Sequence, residues 1–380
     1  MRIGLDLRSF LKEETGIGVY FKNLLLALAE VDRDNEYFLL SSSLKDRFPR
    51  TKLPDFSRAR FRDLFLPSRL LDYLWFELGT PAFGRFFGRS MDVTHSATPL
   101  IVPTAGKAVV TVCDLFYADF PELTDAVTRD RLLPRTEDSL RRADGVIAIS
   151  RFTRDALLEK YSLDPAKVAV IYLGTNTRFE VQTSTAFQSV LRKKYDLPSE
   201  FLLFVGTLEP RKNLTTLVDA LKILHDRGRR VPLIMAGHTG SDLGRIQERI
   251  TATGLGPSVR ILHYPPDEDV QGLYSLATLF VFPSLCEGFG IPLLEAMASG
   301  VPIAASNAPA LPEIGAEAAL YFDPRSAEQM AETLLLGMED EGARSRLIAQ
   351  GRKRIQDFDW TRSAQETLEF YRKVTGKAAV

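Results

Sequence analysis

Residues 281–307, VFPSLCEGFGIPLLEAMASGVPIAASN, constrain the fold of this chain more tightly than any other stretch. Residues 278–283 form an apolar run with the β-branched and aromatic content of a buried strand. Residues 285–290 read as a tight turn with Gly288 and Gly290. Residues 292–299 are good helix formers closed by Gly300 in the position of a C-cap. Residues 301–305 are the next apolar strand. Strand, helix and strand at this spacing make one βαβ unit, which requires parallel pairing.

Two carboxylates bracket the turn, Glu287 and Glu295, with seven residues between them. Glu287 falls where strand gives way to helix, and Glu295 lies about one turn into that helix. The amides of Phe289, Gly290, Ile291 and Leu293 are expected as helix-start donors without intrahelical partners. A glycine-flanked helix start favours an anion, and the glycines let it approach the backbone. Carboxylates beside a phosphate make chemical sense when the ligand also carries hydroxyls, as a sugar or ribose does, because an ionised carboxylate is a strong acceptor. The plainer alternative is two surface glutamates around an ordinary turn.

This stretch resembles the retaining nucleotide-sugar glycosyltransferases of family 4, the glycosyl transferases group 1, and residues 206–213 resemble the corresponding stretch of bacterial mannosyltransferases. Their motif of two glutamates separated by seven residues matches Glu287 and Glu295, and the likeness runs over nearly the whole chain. It implies the GT-B fold: two Rossmann-like, doubly wound parallel-sheet domains facing an interdomain cleft. It also implies that Glu287 and the amides after it (Gly288, Phe289, Gly290, Ile291 and Leu293) hold the donor sugar, and that Glu295 binds the ribose.

With 380 residues the chain exceeds one small core, so two domains are expected. The net charge of −1 argues against general nucleic-acid binding. The two cysteines, Cys113 and Cys286, have no metal-ligand spacing and read as free thiols of a reducing compartment. No leader pattern and no apolar run of membrane-spanning length are evident.

In the first half, residues 2–6 read as a strand, residues 9–18 as a loop ending in Gly16 and Gly18, and residues 19–31 as a helix. Phe21 stands where a dinucleotide fingerprint needs its third glycine, so the resemblance instead assigns Gly16 and Gly18 to a glycine loop at the cleft. Residues 58–89 interleave aromatic side chains with arginines. An interfacial contact with anionic membrane is one reading, and a helical pair packed on the sheet is the other. Residues 110–122 align with a family segment in which a histidine precedes an aspartate near the anomeric carbon. Here Cys113 precedes Asp114, and His95 is the nearest alternative imidazole. A role carried by the backbone carbonyl would survive this change, whereas a side-chain role would not.

In the second half, residues 206–213 read GTLEPRKN between a strand and a helix. Arg211 and Lys212 at a helix start oppose its dipole, which suits a polyanion bound between them. The family's diphosphate clamp lies here. Many members place its arginine directly after Gly206, where this chain has Thr207, so Arg211 must substitute. The resemblance places the nucleobase among the loops holding Gly237, His238 and Tyr264, with Tyr264 stacking on the base. Glu287 and Glu295 on one helical segment cannot flank a bond at roughly 5–9.5 Å as a glycosidase requires.

The domains expected are 1–178 for the acceptor, 179–358 for the nucleotide-sugar donor, and a helix at 359–380 crossing back to the first. The activity expected is retaining hexosyl transfer, most simply of mannose from a GDP-sugar, to a hydroxyl of a glycan or polyprenyl-linked glycan in the synthesis of a cell-surface polysaccharide such as lipopolysaccharide. Glu287, Arg211, Lys212, Cys113 and Asp114 are the candidate catalytic residues, with no metal and no cofactor beyond the donor itself. A UDP-sugar donor, another enzyme on the same fold such as an epimerase, and a catalytically weak nucleotide-sugar-binding protein are the alternatives. A cytoplasmic location, at the inner face of the membrane, follows from such an acceptor.

Overall fold

A computed structural model describes residues 1–10, 16–44, 48, 53–124, 126–175, 179 and 184–378. The chain divides into two units, Met1–Gly174 with Asp359–Val380, and Thr175–Phe358. The boundary expected at residue 178 lies outside the described residues.

The first unit is built on seven parallel strands: β1 (Arg2–Asp6), β2 (Glu36–Ser42), β3 (Ala59–Leu64), β4 (Val93–Ser96), β5 (Lys107–Val112), β6 (Gly145–Ala148) and β7 (Val168–Val170), in the order β3-β2-β1-β4-β5-β6-β7. The central strands are buried on both faces and therefore read as continuous apolar runs rather than alternating ones. Chain order runs outward from β1 in one direction and from β4 in the other, so the topological switch lies between them.

The helix Trp360–Thr375 belongs to this unit, capped by the Asp359 carboxylate on the amides of Thr361 and Arg362. A buried polar chain anchors it. His95 Nδ1 meets the Tyr371 hydroxyl at 2.6 Å, His95 Nε2 meets Thr111 Oγ1 at 2.8 Å, and the Tyr20 hydroxyl joins Thr111 at 2.9 Å. Burial alone pushes the His95 imidazole down to about 3, so it stays neutral with both ring nitrogens engaged. His95 is thus a structural histidine and not a substitute for the family's imidazole.

Two expectations for this unit need correction. Gly16 and Gly18 do not end a loop: the helix starts at Gly16 and runs to Val31, so both glycines lie in its first turn. The apolar face of Tyr20, Phe21, Leu24 and Leu28 reaches the sheet, and Gly18 is buried with it. The loop residues 11–15 lie outside the described residues. Residues 58–89 are not a helical pair either. They begin with the edge strand β3, continue through the helix Ser68–Phe76 and end in the short turn Phe83–Phe87. Arg60 and Arg62 guard the open edge of the sheet, a common way of discouraging further pairing. Trp75 and Phe83 are core, packed with Phe38, Leu71 and Met91. Phe65, Leu70, Tyr73 and Leu78 remain exposed.

The second unit has six parallel strands: β8 (Leu202–Val205), β9 (Leu233–Gly237), β10 (Val259–His263), β11 (Leu279–Phe282), β12 (Ile303–Ser306) and β13 (Ala319–Phe322), in the order β10-β9-β8-β11-β12-β13. The βαβ unit read from residues 281–307 is β11, the helix Ile291–Ser299 and β12, with Phe280 opposite Ile303 in parallel register. The switch point of this sheet lies between β8 and β11.

Candidate active site

The carboxyl ends of β8 and β11 flank the switch point of the second unit, where doubly wound sheets bind ligands. β8 leads into Gly206, and β9 ends in Gly237, both at φ 151°. A Cβ on Gly237 would collide with the Gly206 carbonyl, so glycine is required there. The chain after Gly206 closes in a short turn, Pro210–Lys212, before the helix Leu214–Asp226.

Asn213 fastens that turn. Its backbone is left-handed at φ 58°, and its side-chain amide donates to the carbonyls of Pro283 at 3.1 Å and Pro324 at 2.7 Å. The Leu285 amide donates to the Arg211 carbonyl at 2.8 Å. The loops after β8, β11 and β13 are therefore stitched together, and residues 75 and 76 positions apart in sequence meet.

Lys212 Nζ lies 2.6 Å from Glu287 Oε1, and Arg211 Nη1 lies 2.9 Å from Glu287 Oε2. Arg211 Nε also reaches Glu209 Oε2 at 3.1 Å. Lys212 Nζ sits 4.7 Å from the centroid of the Phe282 ring, a cation–π contact that helps a charge with little access to water. Lys212 and Glu287 are only 5% and 8% exposed. Burial raises the Glu287 pKa, but the charges of Arg211 and Lys212 outweigh it and hold the carboxyl down at about 2. Burial, then the neighbouring Arg211, push Lys212 below the usual lysine value against the pull of Glu287. Arg211 and Lys212 share Glu287, and Glu209 adds a second carboxylate on Arg211, so the four side-chain charges balance.

Gly290 caps the helix Ile291–Ser299 at φ 103°, with Leu311 Cδ2 2.8 Å from where a Cβ would sit. Gly288 is buried, and the Phe289 ring packs edge-on against Phe358 at 5.7 Å. One expected donor is corrected. The Leu293 amide donates to the Gly290 carbonyl at 2.9 Å, because the left-handed cap folds that carbonyl back over the first turn. Glu295 lies on this helix, and its Oε2 accepts from the Tyr274 hydroxyl at 3.0 Å.

At the ends of β9 and β10, the Tyr264 ring meets the His238 ring edge-on at 4.7 Å. Tyr264 is 54% exposed and left-handed at φ 52°, a strained conformation for a residue with a Cβ, held by its amide on the Gly237 carbonyl at 3.0 Å. Thr207 is half-buried in the loop after β8, whose Leu208 amide donates to the His238 carbonyl at 3.0 Å.

Cys113 and Asp114 follow β5 in the first unit. The Cys113 carbonyl accepts from the Thr153 hydroxyl at 3.4 Å, and Asp114 Oδ1 accepts from the Phe116 amide at 3.2 Å. Burial, then Asp114, push the Cys113 thiol well above its ordinary value, so it is protonated at neutral pH and no nucleophile. Neither cysteine forms a disulfide.

The switch point of the first unit carries residues the sequence reading passed over. Asp6 ends β1 and holds Arg8 through Nε at 2.9 Å and Nη2 at 2.7 Å, while Arg8 Nη1 reaches Asp72 at 2.6 Å. The Arg8 guanidinium covers the Trp75 ring at 4.3 Å. A strand ending in Asp-Leu-Arg was the available signal. Among the described residues, no cluster of three or more His, Cys, Asp or Glu side chains could hold a metal, and no helix is long and apolar enough to cross a membrane.

Two doubly wound parallel units, one bearing paired cations on a buried carboxylate at its switch point, make up the GT-B architecture. Residues 15–179 match the family model "Glycosyltransferase Family 4", and residues 188–354 match "Glycosyl transferases group 1". The chain is 31% identical over 271 residues to O-antigen chain mannosyltransferase B of Escherichia coli, covering 70% of each protein. It is 34% identical over 239 residues to the serotype-specific mannosyltransferase WbdA of Escherichia coli, covering 61% of this chain but only 29% of that longer protein. Sucrose-phosphate synthase from Thermosynechococcus elongatus shares the fold, with a TM-score of 0.78 over 99% of both chains at 21% identity. The chain belongs to the group 1 glycosyltransferases of family 4.

Proposed function

We propose that the chain transfers mannose, or a closely related hexose, from a GDP-sugar to a hydroxyl of a glycan or lipid-linked glycan during synthesis of a cell-surface polysaccharide. The observation that carries this reading is the Arg211–Glu287–Lys212 cluster at the switch point of the second unit. The name borne by the O-antigen mannosyltransferase relative supports the choice of sugar and product.

In the reaction, the bond between the anomeric carbon and the terminal phosphate oxygen breaks. A bond forms from the acceptor oxygen to the same face of the sugar, which retains configuration. The acceptor proton passes to the departing diphosphate. Arg211 and Lys212 stabilise the charge that develops on the leaving group, typically the largest catalytic contribution, and this reading assigns that charge to side chains rather than to a metal. Glu287 orients both cations and accepts hydrogen bonds from sugar hydroxyls. The Cys113 carbonyl, with Asp114 behind it, serves at the anomeric carbon, and Tyr264 stacks on the base. This reading also gives Gly16 and Gly18, in the first turn of their helix, a role towards the donor and acceptor.

The acceptor side includes the membrane. Phe65, Leu70, Tyr73 and Leu78 are exposed beside Arg62 and Arg69, a combination suited to an anionic bilayer surface at the inner face of the cytoplasmic membrane.

The direct test is thermal unfolding with GDP, GDP-mannose, UDP and UDP-glucose. A ligand present at about 100 times its Kd adds about 2.7 kcal/mol to the folded state. Stabilisation by the guanosine pair alone supports the reading. Stabilisation by the uridine pair alone moves the donor to UDP-sugars, and stabilisation by none contradicts it.

A further inference from the structure

Tyr274 lies on the helix Asp267–Leu276, away from the glycine-rich turns, and its side chain is fully buried. Its hydroxyl donates to Glu295 Oε2 at 3.0 Å, an oxygen of the carboxylate assigned above to the ribose. We propose that Tyr274 is a positioning residue for nucleotide recognition: it fixes the Glu295 carboxylate in the orientation that receives the ribose hydroxyls. The inference rests on the proposed donor site.

The supports of Tyr274 favour this role over simple core filling. Phe179 packs edge-on against its ring at 5.7 Å, and Phe280 of β11 lies 5.2 Å away. The helix carrying it is clamped from the far side. Asp269, 6% exposed, accepts from Lys194 Nζ and from the Tyr195 hydroxyl, each at 2.5 Å. Gly272 admits Leu191 Cδ2 to 2.5 Å and Phe187 Cε1 to 2.9 Å of where a Cβ would stand, so the linker helix Thr185–Lys194 packs against its backbone. The ring is therefore held by Phe179 and Phe280 on a clamped helix, which fixes where its hydroxyl meets Glu295. A carboxylate tied to a fixed donor has less side-chain entropy left to lose when a ligand binds it. The chemistry recognised is a vicinal diol on a nucleoside diphosphate.

The test uses Tyr274→Phe, which keeps the ring and removes only the hydroxyl. The Kd of GDP, and separately of UDP, is measured by calorimetry beside that of the corresponding dideoxy nucleotide. The expected result is that wild type prefers the ribonucleotide, that the variant binds it roughly tenfold more weakly, and that the dideoxy nucleotide binds both proteins equally. Glu295→Gln in the Tyr274→Phe background should add little, because both changes remove one recognition. Equal losses for both nucleotides would mean a structural effect and overturn the inference, as would no loss for either. Wild type binding a nucleotide without preferring the ribose would overturn the Glu295 assignment and the inference with it. Wild type binding neither nucleotide would instead bring down the donor-site reading itself.

Discussion

Lys212 and Glu287 form an ion pair at 2.6 Å with almost no access to water, and Arg211 closes on the same carboxylate at 2.9 Å. Such a pair is costly to bury, and removing one partner leaves an uncompensated charge. Glu287→Gln should destabilise the second unit by roughly 3 kcal/mol and abolish transfer. Denaturant unfolding at neutral pH checks the first effect, and a transfer assay checks the second.

The same carboxylate sets an acid limit. Its pKa falls from 4.5 to about 2 on folding, so its contribution is fully present above pH 4.5 and is lost as the pH falls towards 2. The full effect is about 3 kcal/mol. The stability gap between wild type and Glu287→Gln should therefore shrink between pH 4.5 and 2. A gap unchanged over that window would count against the pairing.

His95 gives a second, separable window in the first unit. Its folded pKa of about 3 lies below the ordinary 6.5, so the unfolded chain takes up the proton first and stability falls as the pH drops from 6.5 towards 3. In NMR spectra the His95 ring should show no titration shift between pH 7.5 and roughly 4. Tyr371→Phe should loosen the C-terminal helix by about 1 kcal/mol and leave nucleotide binding unchanged.

Glu209 holds Arg211 through a contact at 3.1 Å, which on the proposed reading a donor phosphate must displace. Its side chain is 39% exposed, so the effect is modest. Glu209→Gln should tighten binding of the nucleoside diphosphate product about two- to fivefold, seen as stronger product inhibition.

Cys113→Ala should keep activity within a few-fold of wild type if the main-chain carbonyl carries the role, since the thiol is protonated and the carbonyl stays held by Thr153. A loss of more than about a hundredfold would assign the role to the side chain.

Much of this was legible in the chain because strand–turn–helix units print themselves as periodic sequence. Residues 281–307 announce β11, its helix and β12, and so place Glu287 at a strand end. GTLEPRKN reads as placing Lys212 at a helix start, whereas the residue ends a short turn, Pro210–Lys212, just ahead of the helix Leu214–Asp226. What local sequence withholds is what long-range contacts decide. Asn213 adopts a left-handed turn whose amide reaches carbonyls 70 and 111 positions away, and nothing beside it announces those partners. Tyr274 looks like any apolar helical position until Glu295 is folded against it. β3 was misread because Arg60 and Arg62 break the apolar signal at a sheet edge, where solvent rather than core sets the pattern. The start of the helix Gly16–Val31 falls earlier than the sequence suggests because glycines read as turn, although Gly18 is buried in the first helical turn.

Membrane contact has its own test. Phe65→Ser with Tyr73→Ser should reduce sedimentation with vesicles containing anionic lipid several-fold, while thermal stability stays near wild type because both rings are mostly exposed, at 66% and 55%. Unchanged sedimentation would remove the bilayer from the account.

The most direct measurement is a proton NMR time course of GDP-mannose with enzyme and no acceptor, in which slow hydrolysis releases free mannose. The account predicts that the α-anomer appears first and mutarotates afterwards, and that Glu287→Gln and Lys212→Met each suppress its release. Release of the β-anomer first, or release at the wild-type rate by both variants, would contradict a retaining transferase built on this carboxylate and its two cations.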